Sequence, residues 1–330
     1  MTRRWKVLLC GYYGMGNSGD ELLAAASLNL LRSCGVSNDL IVMLSGDPES
    51  TRQIHHVQAI NRWDPRQILG TLARSETLLL GGGGIFQDST SARSPWYYWL
   101  IVRAAWMLGC RVWAAGQSVG PLSRKLNRVL TQNAFAACRA VSVRDSYSAK
   151  FLRKGTVLTD DLVLSLQLMA SPKTREYFLV NFRAVDGDQE YRAAAAAQDY
   201  ASAHGLKMAG VAMDRADAVL MEEMSRRKVI ALEELFAPGP VDLPRVFSRG
   251  VSAFGMRLHF GVCCLEAGVP CVLVPYDPKV RAFAERWGAP LWTQGPLEAS
   301  AGWSHADRLP GIEKKIERDF TECFQKVMSS

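Results

Sequence analysis

Short apolar runs, each followed by a helical stretch, recur along this chain, and this alternation constrains the fold more than any other feature. Trp5–Gly11 is an apolar run closing on glycine, and Asp20–Cys34 then carries helical periodicity with acidic residues in its first turn. Leu40–Leu44, Thr77–Leu80, Arg111–Ala115 and Ala140–Val143 read as further strands. Helices are predicted at Pro95–Gly109, framed by proline and glycine, and at Lys125–Cys138. Repeated βα units of this length imply a parallel, doubly wound sheet. The pattern restarts after a break near Ala170–Ser171–Pro172. Strands follow at Tyr177–Val180, Lys207–Ala212, Val229–Ala231, Val251–Ala253 and Cys271–Val274, with helices at Glu190–His204, Leu258–Ala267 and Ile312–Met328. The expectation is an α/β protein of two Rossmann-like domains, 1–168 and 169–330, facing a cleft. The terminal helix is long enough to pack back on the first domain.

The 330 residues are too many for one ordinary core, and 48% hydrophobic with 22% charged residues is the balance of a globular protein. No apolar run reaches the roughly 18 residues that span a bilayer. The nearest, Trp96–Leu108, is interrupted by Arg103. Trp5–Gly11 is too short for the core of a secretory signal. Eight cysteines are scattered without a CxxC pair, so reduced thiols in a cytoplasmic protein are expected. His and Cys do not cluster at ligand spacing, and no metal site is expected. Charge is uneven: residues 1–168 carry 19 Lys and Arg against 11 Asp and Glu, and residues 169–330 carry 20 against 21. A basic first half suits an anionic partner such as a membrane surface or a pyrophosphate. Nucleic acid is not expected, because the basic residues form no dense run interleaved with aromatics.

Candidate functional residues gather where strands end, which is where open α/β sheets bind ligands. Gly255–His259 and Tyr276–Lys279 bring Arg257, His259 and Lys279 to the ends of two predicted strands. A guanidinium, an imidazole and an ammonium suit a small polyanion, and the imidazole can also move a proton. Arg144 follows the apolar run Ala140–Val143 in the same manner. Between the first strand and helix lies Gly11–Glu21, where Gly14, Gly16 and Gly19 match a loose GxGxxG spacing. A dinucleotide reading is weakened by Asp20 and Glu21, which would repel a pyrophosphate at the helix start, although they also suit a capping role. Gly81–Gly84 strips side chains from a second strand end, leaving backbone amides for a sugar or phosphate. Gln87 and Asp88 follow and can bind hydroxyls, with Asp88 able to act as a base. Gln117 ends a neighbouring strand.

Taken together, these segments resemble the polysaccharide pyruvyl transferase family. The matching pieces are GYYGMGNSGDE at 11–21, GGGGIFQD at 81–88, GQSVGP at 116–121, SVRD at 142–145, DD at 160–161, MRLHF at 256–260 and GVPCVLVPYDPKV at 268–280. They stand in the family's order and span nearly the whole chain. The resemblance implies a GT-B-like fold, with the acceptor on the first domain and the donor on the second. It implies phosphoenolpyruvate as co-substrate with no cofactor. The acceptor would be a sugar diol, lipid-linked in many relatives, and the product a pyruvate ketal made for cell-wall polymer synthesis with release of phosphate. Carried over by residue, donor binding falls on Arg144, Arg257 and Lys279, and proton delivery on His259. Asp20 or Asp88 would deprotonate the sugar hydroxyl. Gly16, Asn17, Gly83, Gln87 and Gln117 would lie at the acceptor.

Two other readings share these features. A GT-B glycosyltransferase using a nucleotide-sugar would have the same fold and basic cleft, and a non-catalytic saccharide-binding protein would bind without releasing phosphate. Trp96–Tyr97–Tyr98–Trp99, in the basic half, also suggests peripheral contact with the inner face of a cell membrane. The same aromatics equally suit the start of a buried helix.

Overall fold

The computed structural model describes residues 3–152, 155–168, 175–298 and 309–329. It divides into two compact units, one comprising Met1–Met15, Asp20–Leu166 and Gly311–Ser330, the other Gly16–Gly19 and Gln167–Pro310. The break near Ala170–Ser171–Pro172 lies outside the described residues.

The first unit is built on strands β1 (Trp5–Cys10), β2 (Ile41–Ser45), β3 (Gln58–Asn61), β4 (Ser75–Leu80), β5 (Gly83–Phe86), β6 (Arg111–Val119), β7 (Val141–Val143) and β8 (Thr156–Leu158). They form one parallel sheet in the order β3-β2-β1-β4-β6-β7-β8, with β5 paired to β6. The central strands are apolar on both faces, as a sheet covered on both sides requires. Leu8, Leu78, Val112 and Ala114 point to one face and pack with Ile68, Tyr98, Val102 and Ala105. The connecting helices are α1 (Ser18–Ser33), α2 (Pro48–His55), α3 (Pro65–Leu72), α4 (Ser94–Met107), α5 (Lys125–Ala136) and α6 (Ser146–Leu152).

In the second unit, β9 (Tyr177–Asn181), β10 (Lys207–Val211), β11 (Glu234–Phe236), β12 (Gly250–Gly255) and β13 (Cys271–Leu273) form a parallel sheet ordered β11-β10-β9-β12-β13. Its helices are α7 (Gln189–His204), α8 (Arg215–Arg226), α9 (Leu243–Phe247), α10 (Leu258–Glu266) and α11 (Pro278–Trp287). Alanines 193, 194, 197 and 201 of α7 are buried in the core with Phe178, Val180 and Phe254, so the short side chains let helix and sheet approach closely. The strand predicted at Val229–Ala231 is not formed. Lys228 turns through a left-handed φ of 59° and the Val229 amide bonds back to Met224, so these residues end α8. The edge strand is Glu234–Phe236 instead.

The last helix, α12 (Ile312–Met328), belongs to the first unit. Trp113 of β6 is fully buried, and its ring meets Phe320 at 5.2 Å and Phe324 at 5.8 Å between centroids. Residues 112 and 114 face the other side, so β6 is covered on both faces, as the alternation of side chains along a strand demands.

Candidate active site

Strand order reverses between β9 and β12 in the second unit, which marks the switch point where such sheets receive ligands. Three strands deliver side chains there. Asn181 ends β9, Arg257 and His259 follow β12, and Tyr276 and Lys279 follow β13. The Asn181 carboxamide braces the floor: its oxygen accepts from the Arg257 amide at 3.0 Å, and its nitrogen donates to Val211 O at 2.8 Å and Asp217 Oδ2 at 3.2 Å.

Arg257 is not an open anion clamp. Its Nε lies 3.0 Å from Asp217 Oδ2, its Nη2 lies 2.6 Å from Asp217 Oδ1, and Nη2 also pairs with Asp214. Burial pushes the Asp217 carboxyl up, and the Arg257 charge offsets only part of that rise. Two carboxylates therefore balance one guanidinium, and Arg257 shapes the site more than it charges it. Sequence reading missed both acids because they lie 43 and 40 residues upstream of their partner.

His259 is half-buried in the first turn of α10, where the amides and the helix dipole favour an anion. Its ring packs against Gly19, where an added Cβ would fall 2.7 Å from His259 Cγ. Residues Gly16–Gly19 are part of this unit: the Ser18 amide donates to Met213 O at 2.8 Å, and its hydroxyl to Pro238 O at 2.7 Å. The Asn17 side chain accepts from the Gly19 amide at 3.0 Å and so fixes the loop that touches His259. Gly16, at φ 73°, would have no atom within 4 Å of an added Cβ. Lys279 stands in the first turn of α11, its amide capped by Asp277 at 2.8 Å and its Nζ 3.6 Å from the same carboxylate.

The residue that sequence reading passed over is Arg183, two positions beyond β9. One of its Nη atoms donates to Tyr276 Oη at 3.0 Å, and its guanidinium lies 5.1 Å from the centre of that ring. Its Nε is buried with no hydrogen-bond partner, and no carboxylate among the described residues pairs with it. Burial pushes the Tyr276 hydroxyl up, against the pull of Arg183 and Arg257, so that group is a neutral partner. The signal available was an arginine just past an apolar strand, the pattern that singled out Arg144.

In the first unit the switch point lies between β1 and β4. Gly83 has φ 117°, a value that side chains rarely adopt, and an added Cβ would lie 3.5 Å from Asp20 Oδ1. Asp20 thus borders bare backbone. Its neighbour Glu21 is buried and accepts from the Gly14 amide at 2.8 Å, with His55 Nε2 at 2.7 Å on its other oxygen. Beyond the helix dipole, Glu21 pins the glycine loop to α2. Arg62, also unforeseen, holds that loop from the other side by donating to Gly11 O at 3.0 Å and Tyr98 Oη at 2.9 Å.

The other candidates in this unit support backbone. Gln117 is fully buried and donates its amide to Gly81 O, so it stiffens the glycine turn from beneath. Gln87 accepts from the Ser89 and Thr90 amides at 2.8 and 3.1 Å and bonds the Thr90 hydroxyl, closing its own loop. Asp88 receives the amides of Ser123 and Arg124 at 2.8 and 3.0 Å and Asn127 Nδ2 at 3.0 Å. Desolvation raises its carboxyl, but these bonds together outweigh it and hold the group below the usual aspartate range. A carboxylate so satisfied is a poor base. Arg144, nearly buried, pairs with Asp161 and not with its neighbour Asp145, which accepts from Ser118 Oγ at 2.7 Å. Among the described residues, no group of three His, Cys, Asp or Glu is placed to hold a metal ion.

Two Rossmann-like units, each with a parallel sheet and polar side chains at its switch point, define the GT-B class of α/β proteins. Within that class the chain belongs to the polysaccharide pyruvyl transferase family, a family of transferases whose model matches residues 17–278. Solved structures share the fold at low identity. UDP-GlcNAc 2-epimerase from Methanocaldococcus jannaschii, in complex with UDP-GlcNAc and UDP, aligns with a TM-score of 0.62 at 9% identity over 98% of this chain and 99% of that one. The UDP-GlcNAc 2-epimerase from Neisseria meningitidis, bound to UDP-GlcNAc, gives 0.61 at 9% over 98% and 100%. HepE from Anabaena, in complex with UDP, gives 0.58 at 11% over 98% and 96%. Curated proteins give no match in sequence.

Proposed function

We propose that this protein transfers the enolpyruvyl group of phosphoenolpyruvate onto a sugar diol, forming a pyruvate ketal for cell-wall polymer synthesis in the cytoplasm. The observation that carries the reading is the cationic group at the second switch point: Arg183 with a buried, unpartnered Nε, beside strand ends that bear His259 and Lys279 in the first turns of two helices. Phosphoenolpyruvate is small and carries a phosphate and a carboxylate, so several fixed cations and helix amides suit it.

In the scheme, Arg183 and Lys279 bind the donor, while Arg257, held by Asp214 and Asp217, keeps the floor in shape. His259, as imidazolium, protonates the C3 methylene as a sugar oxygen bonds to C2. Asp20 takes the proton of that hydroxyl. The second hydroxyl then attacks C2, the C2–O bond to phosphate breaks, and phosphate departs with the bonding pair. The second hydroxyl proton returns to His259, and the proton on Asp20 leaves with phosphate, so both groups are reset.

The test is phosphate release from phosphoenolpyruvate with a panel of saccharide acceptors, with products read by mass spectrometry. A gain of the mass of pyruvate less water on the acceptor is expected, and His259→Ala should abolish it while retaining donor binding. Turnover with a UDP-sugar and none with phosphoenolpyruvate would favour a glycosyltransferase instead. Donor and saccharide binding without phosphate release would favour a binding protein.

A further inference from the structure

Residues 89–144 contain eight Arg and Lys and not one Asp or Glu, which accounts for the charge excess of the first half. This stretch includes α4 and α5, whose outward faces carry large apolar side chains. Along α4, Trp96, Leu100 and Met107 lie on one stripe at helical spacing, with Leu100 57% and Met107 74% exposed. Along α5, Leu126 and Val129 are 54% and 59% exposed. The stripes are fastened side by side, because Trp99 Nε1 donates to Oδ1 of Asn133, one turn beyond Val129, at 2.8 Å. Of the four aromatics at 96–99, only Tyr98 is buried, so this helix is not a core helix on all sides.

Five cations lie on or beside these helices: Arg93, Arg103, Arg124, Lys125 and Arg128. None of them pairs with a carboxylate among the described residues. The Arg103 guanidinium lies 4.7 Å from the centre of the exposed Trp106 ring, a cation–π contact at the surface of this face. Exposed leucine, methionine and tryptophan set among uncompensated cations match a bilayer surface, where the apolar groups enter the interface and the cations meet anionic headgroups. Nucleic acid would use the charge and leave Leu100, Met107 and Val129 unexplained. Among the described residues no helix is long and apolar enough to cross a membrane, so the contact is a surface one.

We propose that the outward face of α4 and α5 docks this protein on a bilayer containing anionic lipids. The inference stands whether or not the donor is phosphoenolpyruvate. It is tested by flotation with vesicles of phosphatidylcholine alone and with about 30% phosphatidylglycerol. Binding is expected only to the anionic vesicles, with release as salt rises. Arg124→Gln/Lys125→Gln should weaken binding on the order of 30-fold, from about 1 kcal/mol per charge. Leu100→Asp/Met107→Asp should weaken it at least about tenfold, with thermal unfolding unchanged in both variants. Should the Asp pair fail to fold, the Gln pair and the salt dependence decide the matter. Equal binding to neutral vesicles, absence of binding to either, or parent-like binding by the variants overturns the proposal. So does the Asp pair converting a dimer to a monomer while vesicles bind nothing, which would assign the face to a second copy of the chain.

Discussion

Arg257 and Asp217 are locked in a two-point ion pair, with Nε 3.0 Å from one carboxylate oxygen and Nη2 2.6 Å from the other. Asp214 joins the same guanidinium, so the most conspicuous cation of the sequence has no surplus charge. Removing one member of a buried pair leaves the other uncompensated. Arg257→Ala is expected to lower unfolding stability by about 3–5 kcal/mol, measured by urea denaturation. A loss below about 1 kcal/mol would mean that the pair is solvated in solution.

Arg183 should behave in the opposite way. It bonds the neutral Tyr276 hydroxyl and pairs with no carboxylate among the described residues, so its charge is not neutralised as that of Arg257 is. Arg183→Gln is expected to raise the donor KM about tenfold or more, the size of one charge-assisted hydrogen bond. Stability should change by less than about 1 kcal/mol. If KM is unmoved and the protein is destabilised, Arg183 serves only the fold.

Gly19→Ala separates stability from turnover. Alanine in a helix is ordinarily better than glycine by about 1 kcal/mol. Here the new methyl would meet the His259 ring, 2.7 Å from Cγ and 2.8 Å from Cβ, and the imidazole must move. The melting temperature should hold while kcat falls at least about tenfold. Unchanged kcat would show that His259 tolerates displacement and is not the proton donor.

Asp88→Asn should cost stability and spare the chemistry. The carboxylate caps the turn before α5 through the Ser123 and Arg124 amides. Its pKa is held below the unfolded value, so its stabilisation is complete above about pH 3.9 and is lost as pH falls through the folded value. The substitution should remove about 1 kcal/mol at neutral pH, and the gap should close in acid. Denaturant midpoints at neutral and acid pH measure this, and a large loss of kcat would restore Asp88 as the base.

Phe320→Ala tests the seat of the last helix. The ring packs on Trp113 at 5.2 Å and is buried, so truncation should cost about 3–5 kcal/mol. Fluorescence of Trp113 reports the same event.

What the sequence disclosed was set by how local each signal is. The apolar strands β1, β4, β6 and β12 stand out because central parallel strands are buried on both faces. The edge strand β11 was misplaced because Glu234 is exposed and Leu235 and Phe236 are only half-buried, so the strand carries little pattern. Helices α2, α3 and α11 went unseen although Asp47–Pro48, Asp64–Pro65 and Asp277–Pro278 each mark a capped start, with the aspartate accepting from the first turn. Gly83 and Gly84 read as bare loop, yet they open β5, because pairing with β6 is a long-range property. Within the site, His259 and Lys279 were legible as residues after strands. The acids that neutralise Arg257 were not, since nothing in a sequence marks which carboxylate will meet which guanidinium.

The membership of α12 in the first unit has a consequence for the newborn chain. Trp113 leaves the ribosome about two hundred residues before Phe320 and Phe324, and domains otherwise tend to fold as they emerge. Throughout the synthesis of the second unit, the β6 sheet face that will receive α12 carries an uncovered indole. The chain of the second unit is therefore made in full before the first unit can be completed, and the last helix is the step that completes it.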